Sequence, residues 1–404
     1  LTNHLIDHGA NVNGDISEMS PLITAIECEN ENLIKYLIEH GADVNREDKF
    51  SYTPLITAIE YGNQEIIKYL IENGANVNKE SKYRGFPLLV ALDMENDEIV
   101  ECLIKHGADV DAKNADGDPL LHQAVMSKNG HHIKQLIKLG ANINAKNFFD
   151  DTPLIIAIEN NNESIVQYLI KHGADVNEEN KYRGSPLILA VMQGNEKIVK
   201  LLLEYGAKPN VTNRVGLSPL AIAIKDNKEN IAKMLKKYGA DVNETNKEGN
   251  TLLHQARNKK TIKLLIKLGA DINKKNAKGK TPLILAVEEG DETVSKYLIK
   301  HKADVNIGDK HGITPLIIAC ENNYPEIIKC LLNHKADINH FDELGYNALI
   351  TSIEFGHEHI MKYLVKNEAD LNKRSKSRGT PLMIAKEMGN KSTIEFLKKH
   401  GAVE

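Results

Sequence analysis

The sequence has no tryptophan, only seven phenylalanines and only four cysteines among its 404 residues, and its net charge is just −5. No apolar run approaches the roughly 18 residues that a membrane-spanning helix requires, and the N-terminus lacks a signal-peptide pattern. No excess of basic residues indicates nucleic acid as a partner. The cysteines form no Cys-x-x-Cys pair and no Cys/His cluster. Their pattern argues against a metal site or a disulfide framework and favours a reducing, intracellular compartment.

One unit recurs along almost the whole chain, and residues 53–78 are a clear copy of it. Pro54 suits the first turn of a helix, and the apolar positions that follow it have helical spacing. Gly62 interrupts that helix, residues 66–71 carry a second apolar stripe, and Gly74 suits a left-handed helix end. Because 404 residues exceed the size of an ordinary single core, we interpret the chain as a stack of such units.

The pattern resembles the ankyrin repeat. It reads Thr-Pro-Leu-x-x-Ala, then Gly-Asn, then Ile-Ile-Lys-Tyr-Leu-Ile, then Gly-Ala-Asn-Val-Asn, and it recurs over nearly the whole chain with a period of about 33 residues. The resemblance implies an all-α fold, an ankyrin-repeat solenoid of helix-turn-helix units joined by short β-hairpin loops. It also implies that variable residues at the hairpin tips and on the exposed side of the first helix line a concave groove.

The repeats are counted from the position of this proline, here named the start position. It is occupied by Pro21, Pro54, Pro87, Leu120, Pro153, Pro186, Pro219, Leu252, Pro282, Pro315, Ala348 and Pro381. The step from Leu252 to Pro282 is shorter than the others by about one helical turn, so we expect a shortened helix or tightened loop around residues 257–262. The predicted domains are half of a truncated repeat at 1–16 and twelve repeats in one continuous solenoid at 17–404. We also expect the chain to be a fragment of a longer protein, since it begins inside a second helix.

Recurrent polar residues are interpreted as structural. His122 and His254 each follow Leu-Leu, and we expect them to bond within their turns instead of serving in catalysis or metal binding. The pair His131-His132 is expected to be a solvated helix start. The asparagine that ends each repeat, such as Asn45, is expected to bond the backbone two residues on and so to fix a turn.

The glycine that ends the second helix is missing from three consecutive late repeats, where Lys302, Lys335 and Glu368 replace it. A side chain other than hydrogen in the left-handed conformation costs on the order of 1 kcal/mol. We therefore predict faster hydrogen exchange in residues 290–375 than in residues 150–245.

No sequence pattern typical of catalysis or cofactor binding is present. The chain has no Gly-x-Gly-x-x-Gly after a strand, no phosphate-binding Gly-x-x-x-x-Gly-Lys-Ser/Thr and no Gly-x-Ser-x-Gly. Acidic residues and lysines recur with the repeat, as on solvated helix faces. We predict that the protein is not an enzyme and needs no cofactor and no metal.

A carboxylate recurs six positions after the start position in eight of the twelve repeats. These residues are Glu27, Glu60, Asp93, Glu159, Glu288, Glu321, Glu354 and Glu387. Stacked helices lie about 8 to 10 Å apart, so the carboxylates could form an acidic ladder along the groove. Glutamate is also a good helix former on a solvated face, and both interpretations stay open. Met126, Met192, Lys225 and Asn258 interrupt the series and leave an acidic stretch towards each end.

Aromatic and basic residues are concentrated at the predicted hairpin tips. Lys-Tyr-Arg-Gly occurs at 82–85 and 181–184, and Lys-Ser-Arg-Gly at 376–379. The candidate partner-binding residues there are Phe50, Tyr52, Tyr83, Arg84, Phe148, Phe149, Tyr182 and Arg183. Such residues commonly dominate binding energy, although repeat duplication and packing of rings on a neighbouring hairpin would also explain them. The glycine of these three hairpins lies two places before the start position, against three places in others, which predicts two kinds of turn.

The predicted function is a protein–protein interaction scaffold or adaptor that binds one or more proteins through the concave groove and the hairpin tips. The alternatives are a targeting or regulatory region of a larger multidomain protein, such as an enzyme or channel subunit, and a structural spacer. Basic side chains over the acidic ladder and an apolar or acidic anchor at the tips would suit the partner. We predict an intracellular, cytoplasmic monomer that binds neither nucleic acid nor membrane.

Overall fold

The structure, a computed structural model, describes residues 6–14 and 20–403. The chain divides into two compact units, residues 1–208 and residues 209–404. Residues 20–403 contain 23 helices, and the described ranges contain isolated β-bridges but no strand. The predicted all-α repeat fold is confirmed. Part of the predicted half-repeat at 1–16 lies outside the described residues, and the single continuous solenoid stays a prediction.

In the unit of residues 1–208, each repeat has a short first helix and a nine-residue second helix. The first helices are Pro21–Glu27, Pro54–Glu60, Pro87–Asp93, Leu120–Met126, Pro153–Glu159 and Pro186–Gln193. The second helices are Glu31–Glu39, Gln64–Glu72, Asp97–Lys105, Gly130–Lys138, Glu163–Lys171 and Glu196–Glu204.

The unit of residues 209–404 repeats this plan with one exception, the repeat that starts at Leu252. The first helices of this unit are Pro219–Lys225, Pro282–Glu288, Pro315–Glu321, Ala348–Glu354 and Pro381–Glu387. Its second helices are Glu229–Lys237, Lys259–Lys267, Glu292–Lys300, Pro325–Asn333, Glu358–Lys366 and Lys391–Lys399. No described helix in either unit is both long and apolar enough to cross a membrane.

Side-chain caps and a left-handed glycine set the helix limits in residues 53–78. The Thr53 hydroxyl accepts a hydrogen bond from the N–H three residues on at 3.2 Å, and Asn63 caps the second helix in the same way at 3.1 Å. Gly74 has a φ of 92°, which glycine adopts without steric cost. Each helix therefore begins and ends where the local sequence indicates.

The first helices form the centre of each unit. In Pro54–Glu60 all residues but the last are buried, because this helix contacts the first helices of both neighbouring repeats and its own second helix. The second helix, Gln64–Glu72, buries only one stripe, at Ile66, Ile67 and Leu70. Burying such a side chain contributes about 1.5 to 3 kcal/mol, so a repeat gains most of its stability from its neighbours.

The repeat that starts at Leu252 has no first helix. Its residues 252–255 form tight turns, in which the N–H of His254 donates to the carbonyl of Thr251 at 3.1 Å. The second helix, Lys259–Lys267, keeps its nine residues. The predicted irregularity is confirmed, but the prediction placed it too far along the chain. A first helix in this protein has only about two turns, so the loss of nearly one turn leaves too little for the helix to persist.

Three late repeats hold a side chain in the left-handed region, as the sequence predicted. Lys302, Lys335 and Glu368 have φ values of 70°, 65° and 65°. The helices before them therefore end with the glycine geometry but without glycine, and each residue carries the steric cost of its Cβ.

The asparagine that ends each repeat bridges to the next repeat, so the predicted role of Asn45 is wrong. Its Oδ1 accepts the N–H of Asn76 at 2.7 Å, and its Nδ2 donates to the carbonyl of Gly74 at 2.9 Å. The bond two residues on is made by Asp43, whose Oδ1 accepts the N–H of Asn45 at 2.8 Å. An amide has both a donor and an acceptor, so it can bond two backbone groups of the neighbouring repeat.

The same acceptor bond recurs within both units. It is made by Asn13, Asn78, Asp111, Asn144, Asn177, Asn210, Asn243, Asn273, Asn306, Asn339 and Asn372.

The three histidines His122, His132 and His254 are buried. His254 bonds within its turn, where Nδ1 accepts the Thr251 N–H at 3.1 Å, and it also lies 3.0 Å from the next repeat's carbonyl at Lys280. The prediction for His122 is wrong, because its Nε2 lies 2.8 Å from the Asp151 carbonyl of the next repeat and its Nδ1 has no hydrogen-bond partner among the described residues. Burial lowers the pKa of all three imidazoles.

His132 is not solvated, so that part of the prediction for His131-His132 is wrong, whereas His131 is exposed as expected. His132 occupies the third position of its second helix, where the equivalent residue Ile66 packs in the core. Its Nε2 lies 2.9 Å from Oδ1 of Asp93 in the preceding repeat. The carboxylate raises the imidazole pKa, but the larger effect of burial lowers it.

Candidate protein-binding surface

The hairpin tips contain two kinds of turn, as the glycine positions predicted. In residues 114–118 the Oδ1 of Asn114 accepts the N–H groups of Asp116 and Asp118 at 3.1 and 2.8 Å. An antiparallel bridge between Lys113 and Pro119 closes this turn, and in the Arg-Gly hairpins the antiparallel bridges enclose fewer residues. These bridges join Ser81 to Gly85, Asn180 to Gly184 and Ser375 to Gly379. Moving the glycine by one place therefore produces a tighter hairpin with arginine at its tip.

Each Arg-Gly hairpin of the unit of residues 1–208 bonds to the hairpin before it. The Ser81 hydroxyl donates to the carbonyl of Ser51 at 2.6 Å. Asn180 Nδ2 donates to the carbonyl of Phe149 at 2.8 Å, and the N–H of Lys181 donates to a carboxylate oxygen of the same preceding hairpin at 2.9 Å. The tips at 48–52 and 81–85 form one pair, and those at 147–151 and 180–184 form another.

The paired tips present five exposed aromatic side chains, which we name the tip surface. They are Phe50, Tyr83, Phe148, Phe149 and Tyr182, and their exposed fractions run from 51% to 71%. Lysine ammonium groups lie over three of these rings, at 5.1 Å from the centroid of Phe50, 5.4 Å from Tyr83 and 4.9 Å from Tyr182. Tyr52 is half-buried and does not belong to this surface.

The tip arginines point back to the first helix of the preceding repeat. Arg84 Nη2 lies 2.5 Å from Glu60 Oε1, and its Nε donates to the Tyr52 hydroxyl at 3.0 Å. Arg378 Nη2 donates to Glu354 Oε1 at 2.6 Å. Both guanidinium groups also lie over tyrosine rings of the preceding tips, at 5.6 Å from the centroid for Arg84 and 5.2 Å for Arg378. Each arginine thus joins two repeats, and we name these contacts the arginine clamps.

Arg183 repeats the arrangement with an acid in place of the tyrosine. Its Nη1 contacts Glu159, and its Nη2 lies 3.6 Å from Asp151 Oδ2. Burial raises the pKa of Asp151, and the charge of Arg183 opposes that shift. In all three clamps the paired glutamate is the last residue of the first helix in the preceding repeat.

The contacts in the other two clamps favour the charged form of the arginines. The hydrogen bond to Tyr52 and the charge of Glu60 raise the pKa of Arg84, and the charge of Glu354 raises that of Arg378. Burial raises the pKa of Glu60, more than Arg84 lowers it. The clamps are therefore partly desolvated contacts between repeats.

The comparison with protein families identifies the array. A family model described as ankyrin repeats (3 copies) matches residues 1–48, 45–114, 79–147, 121–213, 206–276, 256–342 and 340–403. The chain is an ankyrin-repeat protein. Ankyrin repeats are in general protein-interaction modules.

Two solved ankyrin-repeat structures are similar to this protein. One is the ankyrin repeat domain of Bcl-3, of the IkappaB protein family, with 26% identity and a TM-score of 0.47; the match covers 55% of this chain and 99% of that one. The other is the human ASB11 ankyrin repeat domain, with 27% identity and a TM-score of 0.40 over the same shares of the two chains. The comparison with curated proteins gives no match.

Most of the acidic ladder of this ankyrin-repeat protein is occupied by contacts with side chains of the protein itself. Glu60, Glu159 and Glu354 belong to the arginine clamps, Glu288 lies 2.5 Å from Lys280 Nζ, and Asp93 lies beside His132. Among the described residues, Glu27, Glu321 and Glu387 have no side-chain hydrogen bond or ion pair. The ladder is not a continuous row of free carboxylates. Contact of these residues with a partner stays a prediction.

The sequence interpretation missed two features of the ankyrin-repeat surface. The constant offset in sequence between each tip arginine and a glutamate of the preceding repeat was a signal for the clamps. A cavity between the repeats that start at Pro315 and Ala348 was also missed, because its walls come from two loops and two helices. The exposed Leu344 and Phe355 at its rim are apolar side chains with no local reason to face water.

Proposed function

We propose that this protein binds a partner protein through the tip surface of the unit of residues 1–208. The observation that carries the proposal is the set of five exposed rings on hairpins that are already bonded to one another. Burying a ring at an interface removes about 150 to 250 Å² of mostly apolar area from water. The hydrogen bonds between paired tips fix the backbone before binding, so less conformational entropy is lost on association.

Because the arginines are already paired in the clamps, we expect the aromatic rings to be the main contacts with the partner protein. Arg84 and Arg183 have acidic partners in the preceding repeat, and a binding partner would have to replace those bonds. The phenylalanine rings of the tip surface have no polar group, so they lose no hydrogen bond when they are buried. Lysines over the rings of Phe50, Tyr83 and Tyr182 favour a partner site that is apolar at its centre and acidic at its edge.

The test compares three versions of the whole chain. The first is unchanged, the second carries Tyr83→Ala, Phe149→Ala and Tyr182→Ala, and the third is a control in which other exposed apolar residues, Tyr61, Met94 and Tyr205, become alanine. Circular dichroism must show that all three unfold at the same temperature. Proteins captured from a lysate of the source cell are identified, and one captured protein is purified for affinity measurement.

The proposal expects the tip variant to lose at least about 100-fold in affinity for that protein, since several interface hot spots are removed together. The control variant should bind within a few-fold of the unchanged chain. Equal binding by the tip variant would overturn the proposal and favour the spacer alternative or another surface. Loss of binding in the control variant alone would show that the interface lies at the ends of the first and second helices instead of at the tips.

A targeting or regulatory role within a larger protein, a monomeric state and a cytoplasmic location stay predictions. Analytical ultracentrifugation of the purified chain would test the monomer.

A further inference from the structure

The repeat that starts at Leu252 lacks its first helix, and a cavity of about 270 Å³ lies there, against the repeat that starts at Pro219. Its apolar wall includes Leu217, Ile224 and Leu252. Leu217 and Leu252 are half-buried, so both keep apolar surface that an incoming group can cover. We name this cavity the notch. It is smaller than the roughly 300 to 1,000 Å³ of pockets for small-molecule ligands, so it suits a single side chain.

A small residue in the preceding repeat enlarges the notch. Ala221 lines it and lies two residues after the start position, where Ile56 and Ile155 are fully buried in their own repeats. Alanine has three fewer side-chain carbon atoms than isoleucine and leaves that space empty. The notch therefore has two causes in the sequence, a shortened repeat and a small residue beside it.

The polar part of the wall has positive charge and an amide. Lys225, Arg257 and Asn258 line the notch, and none of the described residues that line it is acidic. Lys225 and Asn258 stand at the ladder position, where eight repeats have a carboxylate. Lys225 is exposed and forms no ion pair with a described residue, whereas Arg257 Nη2 lies 2.7 Å from Glu289 Oε1. A negatively charged group would therefore find a free ammonium group at the edge of the notch.

The basic charge continues around the notch. Residues 225–280 contain fifteen lysines and arginines against six aspartates and glutamates, although the net charge of the whole chain is −5. Lys260 is exposed in the first turn of the second helix Lys259–Lys267. In the preceding repeat, the hydrogen bond from Lys233 lowers the pKa of Glu229, and the charge of Lys260 adds to that shift. This carboxylate thus lies among lysines of two repeats, and the local potential is positive.

We propose that the notch binds an acidic segment of a partner protein, with one apolar side chain in the cavity and carboxylates next to it. The proposal rests on the proposed protein-binding function and adds a second contact region in the other unit. The apolar side chain covers Leu217 and Leu252, which removes their remaining apolar surface from water. The carboxylates pair with Lys225 and with Lys260, which lies next to a residue of the notch wall, Thr261.

An acidic protein segment fits better than nucleic acid or an anionic membrane. Within residues 216–343, all of which the structure describes, no large hydrophobic side chain is exposed. No ring is therefore present to stack on a base, and no apolar group is present to enter a lipid layer. The notch also calls for an apolar group beside the negative charges, which a leucine between glutamates supplies and a phosphate backbone does not.

The test titrates the whole chain, with methyl-labelled leucine and isoleucine, with the peptide N-acetyl-Glu-Glu-Leu-Glu-Glu-amide at low ionic strength. The proposal expects saturable NMR shifts of the methyl groups of Leu217, Ile224 and Leu252. The same peptide with glutamine in place of glutamate should bind at least about tenfold more weakly, because it loses several charge pairs. The peptide with alanine in place of leucine should also bind about tenfold more weakly, because its side chain no longer fills the notch.

Two variants and a matched control identify the wall that binds. Ala221→Ile fills the notch with the residue found at the equivalent position of other repeats, and it should weaken the peptide by about tenfold without lowering the urea midpoint. Lys225→Glu restores the ladder carboxylate and should weaken the peptide by about tenfold. Lys225 is exposed, so its variant tests the site even if isoleucine disturbs the packing. Lys134→Glu makes the same change of charge at an exposed position of the other unit and should leave the affinity within about twofold.

Absence of shifts at Leu217, Ile224 and Leu252, or equal binding of the glutamate and glutamine peptides, would overturn the proposal. An equal loss in Lys134→Glu would show a general charge effect and would also overturn it. Binding of a DNA duplex or of phosphatidylserine vesicles that is tighter than that of the peptide and unchanged in Ala221→Ile would assign the basic surface to those ligands instead. None of these results bears on the tip surface, which belongs to the other unit, and loss of the tip interface would leave the peptide binding intact.

Discussion

Replacing one threonine by valine at the same place in two repeats should change local stability in opposite directions. Thr57 and Thr351 both lie three residues after the start position and both are 2% exposed. Valine keeps the β-branched shape of threonine, so the substitution changes mainly the hydroxyl. The two hydroxyls differ, because that of Thr57 has a bond and that of Thr351 has none to any described residue.

The magnitudes follow from the bonds that change. Thr57→Val loses a hydrogen bond of 3.1 Å, but the carbonyl of Thr53 keeps the bond from the backbone N–H at 3.0 Å. No buried acceptor is left without a donor, so the expected loss is small, about 0.5 to 1 kcal/mol. Thr351→Val removes a buried hydroxyl that lacks such a bond, so the expected gain is about 1 kcal/mol.

Hydrogen exchange followed by mass spectrometry is the suitable assay, because a long array does not unfold in one step. Amides of the helices Ala348–Glu354 and Glu358–Lys366 should exchange about fivefold more slowly in Thr351→Val, since about 1 kcal/mol is roughly a factor of five in an opening equilibrium. Amides of Pro54–Glu60 should exchange two- to fivefold faster in Thr57→Val, by the same conversion. Faster exchange in Thr351→Val would refute the reasoning, since it would mean that this hydroxyl has a partner in solution.

Three further substitutions test other parts of the fold. Lys335→Gly relieves a left-handed φ of 65° and should stabilise its repeat by about 1 kcal/mol, seen as slower exchange in Pro325–Asn333. Asp111→Asn adds an amide donor opposite the Gly140 carbonyl and should raise the urea midpoint by the equivalent of about 1 kcal/mol; no change would mean that the donor does not reach it. Burial lowers the pKa of His122 from 6.5. The neutral ring therefore stabilises the fold fully above pH 6.5, and this stability is lost as the pH falls below that value. In urea titrations at several pH values, His122→Gln should show a smaller loss of stability at low pH than the unchanged protein.

The helices were predictable because their signals are local. The start-position proline, a capping side chain such as Asn63 and the closing glycine Gly74 all act within a few residues. The left-handed conformation of Lys335 was predictable for the same reason, since a gap in a regular pattern marks a position that the backbone still requires. The two kinds of hairpin followed from the place of the glycine.

Contacts between repeats were harder to predict because their partners lie about one repeat away in the sequence. The role of Asn45 was wrong since its donor and acceptor groups meet the next hairpin. His132 was placed in solvent because the pair His131-His132 was considered without the register that puts His132 where isoleucine packs elsewhere. The sequence predicted that the aromatic, arginine and acidic residues all contact a partner. In the structure the rings at the tips are exposed, whereas Arg84 pairs with Glu60 within the protein.

The asparagine bridge between Asn243 and Asp271 has a length of 2.8 Å, close to that of the bridge between Asn210 and Asp241, although it spans fewer residues. The repeat that starts at Leu252 is shorter because its first helix is missing, and the hydrogen bond between its hairpin and the preceding one is kept. A deletion in that helix is therefore tolerated without breaking the bridge. Duplication of a whole repeat would likewise give each new hairpin a neighbour with matching donor and acceptor. The gene can thus gain or lose repeats in frame, so the length of the array and the residues at its tips can evolve independently.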